Sequence, residues 1–424
     1  MTKYQSPIGM RDLLSEDFKY FNKIEKVCRE IAGFYGFQRI EPPILEQSLL
    51  FEKGTGQGTE IVQKQMFSLR TKGGDCLTLR PEYTPSIIRA YFEHGMESLP
   101  KPVKLWYFGP CFRHEKPQSG RYRQFYQFGF EFLGSESWII DAQTIQLSYN
   151  ILKALEFKNL IIKVNSIGDS QCCPYYKKVL MSYLRSYRNS ICADCVKRLK
   201  LNPLRILDCK NEKCQEIIRG GAPQILDHLC KDCNDHFKKV LESLDTLKIP
   251  YTLDPYLVRG LDYYTRTVFE ISTEKEGEGG QGTLVGGGRY DNLAKILGGK
   301  EVPACGCASG VGRIANLLKE KSKGDSKTTS KVFLAQVGEL AKKKSLKLFE
   351  DFRKQKIKVV ETLHKDSLSL QLKLANKAGV KYVLIMGQKE ALEEKIIIRD
   401  MKSGKQKTVA LARVIKEIKR KTGK

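Results

Sequence analysis

Residues 121–132, Arg-Tyr-Arg-Gln-Phe-Tyr-Gln-Phe-Gly-Phe-Glu-Phe, alternate in a way that predicts a β-strand. One face carries Tyr122, Gln124, Tyr126, Phe128, Phe130 and Phe132, which suits a core. The other carries Arg121, Arg123, Phe125, Gln127, Gly129 and Glu131. A glycine inside a strand weakens it and often marks the close approach of a ligand. This face therefore reads as the floor of a binding site.

The same patterning places the neighbouring elements. Ser15, followed by Glu16 and Asp17, starts a helix whose apolar positions, Phe18, Phe21, Ile24, Cys28, Ile31 and Tyr35, recur at helical spacing before Gly36. Arg39 to Ile44 contains Pro42 and Pro43 and reads as an edge or interface strand. Leu77 to Thr84 is a strand entering a turn. Val103 to Arg113 pairs with the 121–132 strand through the loop His114 to Gly120, an antiparallel hairpin. Strand patterns return at 257–272 and 282–290, and 303–318 reads as a strand entering a buried helix. After the hydrophilic stretch 319–330 come strands at 331–337, 358–363, 381–387, 395–401 and 406–411. Helices near 340–355, 367–378 and from about 412 separate or follow them. The expected architecture is an α+β domain on a mostly antiparallel sheet over 1–325, interrupted by a helical, cysteine-rich insertion at 171–248. A basic α/β domain with a mixed sheet follows at 326–424.

Charge sharpens the second domain. Of the net +25, residues 319–424 hold +17, from 29 Lys and Arg against 12 Asp and Glu. A field of that sign favours nucleic acid or another anionic surface over a solvated lysine face. No apolar run has the length of a membrane span or a signal peptide, so a cytoplasmic protein with no membrane partner is expected. Thirteen cysteines in such a chain argue against disulfides. Eight fall between Cys172 and Cys233, including Cys192-x-x-Cys195 and Cys230-x-x-Cys233. These two knuckles are the expected ligands of one structural Zn2+; Cys209, Cys214, Cys172 and Cys173 keep the choice of ligands open, and buried free thiols are the competing reading.

Arg113, Arg121 and Arg123 bracket the hairpin loop. Arginine grips phosphate and carboxylate in bidentate fashion and keeps its charge. With Gln127 and Glu131 nearby and Phe125 free to stack on a base, the group suits a zwitterion beside a polyphosphate. Gly286-Gly287-Gly288 lacks the Lys and Ser/Thr of a phosphate loop and suits close strand packing against a ligand. His114 reads as structural, and the five histidines form no triad pattern.

Phe112-Arg113-His114-Glu115, the loop and Phe125 resemble motif 2 of class II aminoacyl-tRNA synthetases. Residues 109–129 are similar to the histidyl-tRNA synthetase family in particular. Arg259-Gly260-Leu261-Asp262-Tyr263-Tyr264 resembles that family's histidine-recognition signature, and Gly287-Gly288-Arg289-Tyr290-Asp291 its neighbouring strand. Pro43 resembles the motif 1 proline of the dimer interface, and Gly310-Val311-Gly312-Arg313 resembles motif 3. The resemblance runs from Pro7 to the C-terminus and implies a class II catalytic domain with an anticodon-binding domain, acting as a homodimer on L-histidine, ATP with Mg2+, and tRNA(His). It implies catalytic roles for Arg113 and Arg259, clamping the α-phosphate. Histidine falls to Glu82, Thr84, Arg113, Gln127, Glu131, Arg259, Tyr263 and Tyr264, with the imidazole entering past Gly129. ATP falls to Arg113, Arg121, Phe125 and Arg313, and the tRNA acceptor end to Gln118 and Arg123. Two positions depart from the family pattern: Tyr83 stands where glycine is usual and is expected to crowd the loop beside the amino group, and Gly312 stands where an acid precedes the motif 3 arginine, which is expected to weaken ATP binding without removing it. A silent paralogue, the regulatory subunit of a histidine-biosynthetic ATP phosphoribosyltransferase, is the alternative. The basic C-terminal domain and the whole Arg-Gly-Leu-Asp-Tyr-Tyr signature weigh against it.

Overall fold

The computed structural model describes residues 4–117, 121–273, 282–321 and 331–422. Its backbone forms two compact units, 1–321 and 322–424. The expected 325/326 boundary lies outside the described residues.

The first unit opens with α1 (Ser15–Tyr35), where the Asp17 carboxylate accepts from the Leu14 N–H at 3.2 Å and Gly36 closes the helix at φ 75°. Phe21, Ile24, Cys28 and Ala32 form its buried stripe. The Pro42-Pro43 region splits into two short strands, β1 (Gln38–Arg39) and β2 (Leu45–Gln47), because proline removes ladder donors. Helix α2 (Ser48–Thr55) follows, then β3 (Phe67–Arg70), β4 (Cys76–Leu79) and α3 (Thr84–Glu93). The hairpin is β5 (Val103–Phe112) and β6 (Gln124–Leu133); β6 begins three residues later than the alternation suggests. Helix α4 (Trp138–Ala154) and β7 (Leu160–Ser166) lead into four helices, α5 (Cys173–Ser186), α6 (Ala193–Leu201), α7 (Glu212–Arg219) and α8 (Lys231–Thr246). Strands β8 (Thr252–Leu253), β9 (Thr265–Thr273) and β10 (Thr283–Arg289), helix α9 (Leu293–Ile296), β11 (Ala304–Gly310) and α10 (Val311–Lys321) complete the unit.

The main sheet runs β1-β5-β6-β11-β10-β9-β7-β8 and is antiparallel except at its two edge pairs. Strands β2, β4 and β3 form a separate small sheet. Phe128, Phe130 and Phe132 are fully buried on one side of β6, in the core shared with α1, α4 and α10. The polar side of β6 meets β11 with Glu131 opposite Gly306. The cysteine-rich helices bury a second core around Tyr176, Leu180 and Ile206. Helix α8 instead places Phe237, Val240 and Leu244 in the main core. Buried Arg289 ties the sheet to this layer: its Nε donates to Asp141 Oδ1 at 3.0 Å, and His236 Nε2 meets Asp141 Oδ2 at 2.7 Å. Burial would raise the Asp141 pKa, but the Arg289 charge and hydrogen bonds hold it down at about 2.

The second unit has the sheet order β13-β12-β14-β15-β16, from β12 (Val332–Gln336), β13 (Val359–Glu361), β14 (Tyr382–Met386), β15 (Lys395–Asp400) and β16 (Gln406–Ala410). The first three strands are parallel and the last two pairings antiparallel, the expected mixed sheet. Helices α11 (Glu339–Lys354), α12 (Leu368–Lys377) and α14 (Val414–Thr422) match the patterning; short α13 (Gln388–Leu392) was not foreseen.

Candidate active site

Two buried carboxylates make the floor of a cavity of about 870 Å³. Glu131, on the polar side of β6, accepts from Thr84 Oγ1 at 2.9 Å and from Tyr290 Oη. Glu82, on the turn before α3, accepts from Thr55 Oγ1 at 2.7 Å and from Tyr263 Oη at 2.8 Å. Desolvation pushes Glu131 up to about pKa 8, against the Tyr290 and Thr84 hydrogen bonds; Glu82 is also raised by burial. A closed acidic floor favours a ligand that brings protons or positive charge.

All eight residues expected around the amino acid line this one cavity: Glu82, Thr84, Arg113, Gln127, Glu131, Arg259, Tyr263 and Tyr264. Thr55, which holds Glu82, and Tyr290, which holds Glu131, escaped the sequence reading; the Tyr290 signal was present in the strand beside the signature. Glu270 was missed as well. It pairs with the Arg259 guanidinium and accepts from Thr283 Oγ1 at 2.7 Å, so it aims Arg259 across the sheet.

The glycines of these strands lie close against other groups of the protein. A Cβ on Gly286 would overlap the Arg259 guanidinium, and one on Gly287 the Gly306 carbonyl. One on Gly306 would overlap Glu131 Oε2. The triple glycine therefore packs closely against Arg259 and the neighbouring strands, as the expected close strand packing requires. For Gly129 the expectation is corrected. It lies opposite Tyr107 in the β5–β6 ladder, and a Cβ there would overlap the Tyr107 ring and the Cys307 carbonyl. The gap is filled by Tyr107, which itself lines the cavity, so no imidazole passes through it.

A smaller cavity of about 230 Å³ is lined by Arg113, Arg121, Phe125 and Arg313, the four residues expected around ATP. Arg113, Arg121 and Glu115, which pairs with Arg121 at 3.4 Å, line both cavities, so the two share a margin. Arg113 Nε donates to the Pro81 carbonyl at 2.9 Å, and its guanidinium lies over the Phe125 ring at 5.3 Å. Arg313 Nη1 donates to the Thr283 carbonyl at 2.6 Å. A Cβ on Gly312 meets nothing within 4 Å, so the position that departs from the family pattern opens onto free space. Arg123 lines neither cavity; it reaches Glu115 O at 3.3 Å and Ile8 O at 3.4 Å. Gln118 lies outside the described residues. His114 is exposed, its ring edge-on to Phe67.

Tyr83 does not crowd the amino-group site. Its ring stacks on Tyr107 at 3.9 Å, and its hydroxyl reaches Glu41 Oε1 at 3.2 Å and the buried Arg80 guanidinium. The space exists because residue 109 has no side chain: a Cβ there would overlap the Tyr83 hydroxyl. Gly109→Ala is expected to lower the thermal midpoint by several degrees, at a cost of about 1–3 kcal/mol for overpacking. Tyr83→Phe in that background should recover part of the loss. Calorimetry of the two variants checks this, and a neutral Gly109→Ala would refute the pairing.

The cysteines form two groups, not the single set expected from Cys192, Cys195, Cys230 and Cys233. Cys192 and Cys195 converge with Cys209 and Cys214; Cys230 and Cys233 converge with Cys172 and Asp169. Within each group the ligand atoms lie within 4.8 Å of one another. The knuckles open different helices, α6 and α8, and the fold separates those helix ends.

Comparisons with known proteins cover both units of the chain. A family model described as histidyl-tRNA synthetase matches residues 9–168 and 210–314, and a model described as anticodon binding domain matches 331–421. The histidine–tRNA ligase of Dehalococcoides mccartyi is 43% identical over 418 residues, 98% of this chain and 99% of its own. That of Caldicellulosiruptor saccharolyticus is 41% identical over 424 residues, 99% and 100% of the two chains. The crystal structure of apo histidyl-tRNA synthetase from S. aureus superposes with a TM-score of 0.80 at 33% identity, covering 98% of this chain and 99% of that one.

Proposed function

Because this chain belongs to the histidyl-tRNA synthetase family, we infer that its two adjoining cavities divide the work of a histidine–tRNA ligase between the amino acid and ATP. The protein is an aminoacyl-tRNA synthetase of the class II fold. It joins L-histidine to ATP as histidyl-adenylate, releases diphosphate, then passes histidine to tRNA(His) and releases AMP. ATP enters as its Mg2+ complex, a substrate.

The observation that carries the residue assignment is the convergence of the eight amino-acid residues on one cavity above two buried carboxylates. We assign Glu131 and Tyr264 to the imidazole and Glu82, Thr84 and Gln127 to the α-amino group. Such a floor rejects isosteres that leave its polar groups unpaired. Arg113 and Arg259 take the carboxylate and the α-phosphate, where charge grows as the oxygen attacks phosphorus. Arg121 and Arg313 hold the distal phosphates, and Phe125 with Arg313 encloses the adenine. Arg123 and Gln118 are proposed for the acceptor end.

We place the anticodon contact in the basic second unit, whose strand pattern and +17 charge over 319–424 support it. Its cores, around Val332 and Leu384 and around Phe333 and Val383, are its own. Deleting residues 326–424 is therefore expected to cut tRNA charging at least ~100-fold while ATP–pyrophosphate exchange stays within about threefold. Equal losses in the two assays would contradict the division. A homodimer is proposed through the Pro43 region, where Ile44, Leu45 and Leu49 are 43%, 40% and 50% exposed. Among the described residues no helix is long and apolar enough to cross a membrane. A cytoplasmic setting is proposed on the thirteen unpaired cysteines. The regulatory-paralogue alternative is the weaker reading, given full-length ligase relatives and the match to an anticodon domain.

A further inference from the structure

We propose that this chain holds two structural zinc ions, one bound by Cys192, Cys195, Cys209 and Cys214 and the other by Asp169, Cys172, Cys230 and Cys233. Four ligands around each point leave no open position, the arrangement of a structural rather than a catalytic site. Tetrahedral zinc with Zn–S near 2.3 Å separates its sulfurs by about 3.8 Å. Cys192 and Cys209 Sγ stand 3.8 Å apart, and Asp169 Oδ1 lies 3.7 Å from Cys172 Sγ and 4.0 Å from Cys230 Sγ. A disulfide needs its sulfurs at about 2.05 Å, well inside the 3.8 Å between Cys192 and Cys209, and the three thiols beside Asp169 could not all pair. Sulfur-rich sets of this kind select zinc over magnesium or calcium.

The surroundings are built for thiolate. The Cys192 N–H donates to Cys214 Sγ at 3.2 Å, and the Asp169 N–H to Cys172 Sγ at 3.4 Å. Each knuckle opens a helix, so the positive ends of α6 and α8 face sulfur. Arg266 Nη2 donates to Asp169 Oδ2 at 3.3 Å and turns Oδ1 toward the cysteines, the outer-shell contact that orients a carboxylate ligand.

The two sites do different work. The Asp169 site ties the loop after β7 to the start of α8 and, through Arg266, to β9 of the catalytic sheet. The four-cysteine site staples a wall of the amino-acid cavity. Cys192 and Cys209 line that cavity themselves, and with them come Arg198, Arg205 and Asp208. Arg198 reaches Glu60 Oε1 at 2.7 Å, Arg205 reaches the Gly58 carbonyl at 3.1 Å, and Asn202 reaches Asp262 Oδ1 at 2.9 Å. The stretch between Cys195 and Cys214 has one irregular run, 202–211, broken only by a single turn at Pro203–Ile206. A metal at its ends holds that run against the histidine signature. Five of the eight ligands, Asp169, Cys172, Cys192, Cys195 and Cys209, fall in the span 169–209 that the family model leaves unmatched.

Metal analysis of the full-length protein, purified without added metal or chelator, tests the proposal. Two zinc equivalents per chain are expected, one each after Cys195→Ser or Cys233→Ser. Less than about 0.2 equivalent, iron in place of zinc, or loss of both ions in either variant overturns it. If the variants do not fold, mercurial titration of the parent protein with a zinc-sensitive dye decides the count: release of two equivalents supports the sites, and any other number refutes them. Where the variants fold, Cys195→Ser should raise KM for histidine about tenfold and Cys233→Ser less than twofold. Equal effects would remove the wall role while leaving the zinc count standing on its own.

Discussion

Glu131→Gln is expected to lower kcat/KM for histidine in ATP–pyrophosphate exchange by about 10²–10³-fold and, at alkaline pH, to make the protein more stable. The first effect follows from burial. Glutamine keeps the shape but cannot supply the charge or shared proton that an imidazole requires at the closed floor. The second follows from linkage. Burial lifts the Glu131 pKa to about 8, well above the roughly 4.3 of an unfolded chain. Between those values the native state holds a proton that the unfolded state has released. The corresponding stability is complete below about pH 4.3, falls as pH rises, and is gone above about pH 8. Glutamine has no proton to lose. The variant should therefore match the parent near pH 5 and exceed it in thermal midpoint near pH 8.5. Equal midpoint shifts at both pH values, or unimpaired exchange, would refute the assignment.

Arg259→His is expected to cut exchange by about 10³-fold with the fold intact. Arg259 stands on the signature loop, held by Glu270 and by the space above Gly286. Its permanent charge faces the same cavity as Arg113, where the pentacovalent phosphorus would carry its negative charge. A histidine is shorter and mostly neutral at pH 7, and it cannot reach with a bidentate fork. Glu270→Gln separates aiming from contact: the guanidinium remains but loses its partner, so a loss of about tenfold is expected, mainly in kcat. Near-normal exchange in Arg259→His would sink the clamp. Circular dichroism and the thermal midpoint distinguish this from unfolding, since Glu270 keeps Thr283 as a donor.

Much of this was legible along the chain. Period-two alternation located β6, which has one face in a core, whereas β5, β12 and β14 are buried on both faces and were legible as short apolar runs between turn signals. The polar face of β6 does place Gln127 and Glu131 in the lining of a cavity. What failed was the meaning given to Gly129. A missing side chain shows that something comes close; it does not say what. The register that sets Tyr107 opposite Gly129 belongs to a strand pairing. Tyr83 was misjudged for the same reason, since its room is made by Gly109, 26 residues away.

The cysteines draw the line most sharply. Spacing within each knuckle is local, because two residues three apart at a helix start must face one point, and the sequence alone was enough to recognise both. Which knuckle joins which further ligand depends on where α6, α7 and α8 end after packing around Tyr176 and Ile206. That is a long-range matter, and it turned one expected ligand set into two groups. The residues proposed for catalysis and binding obey the same division: their identities, charges and motifs can be read in order along the chain. Only the antiparallel register of β6, β11 and β10, through glycines that let backbone and guanidinium approach, brings them to one floor.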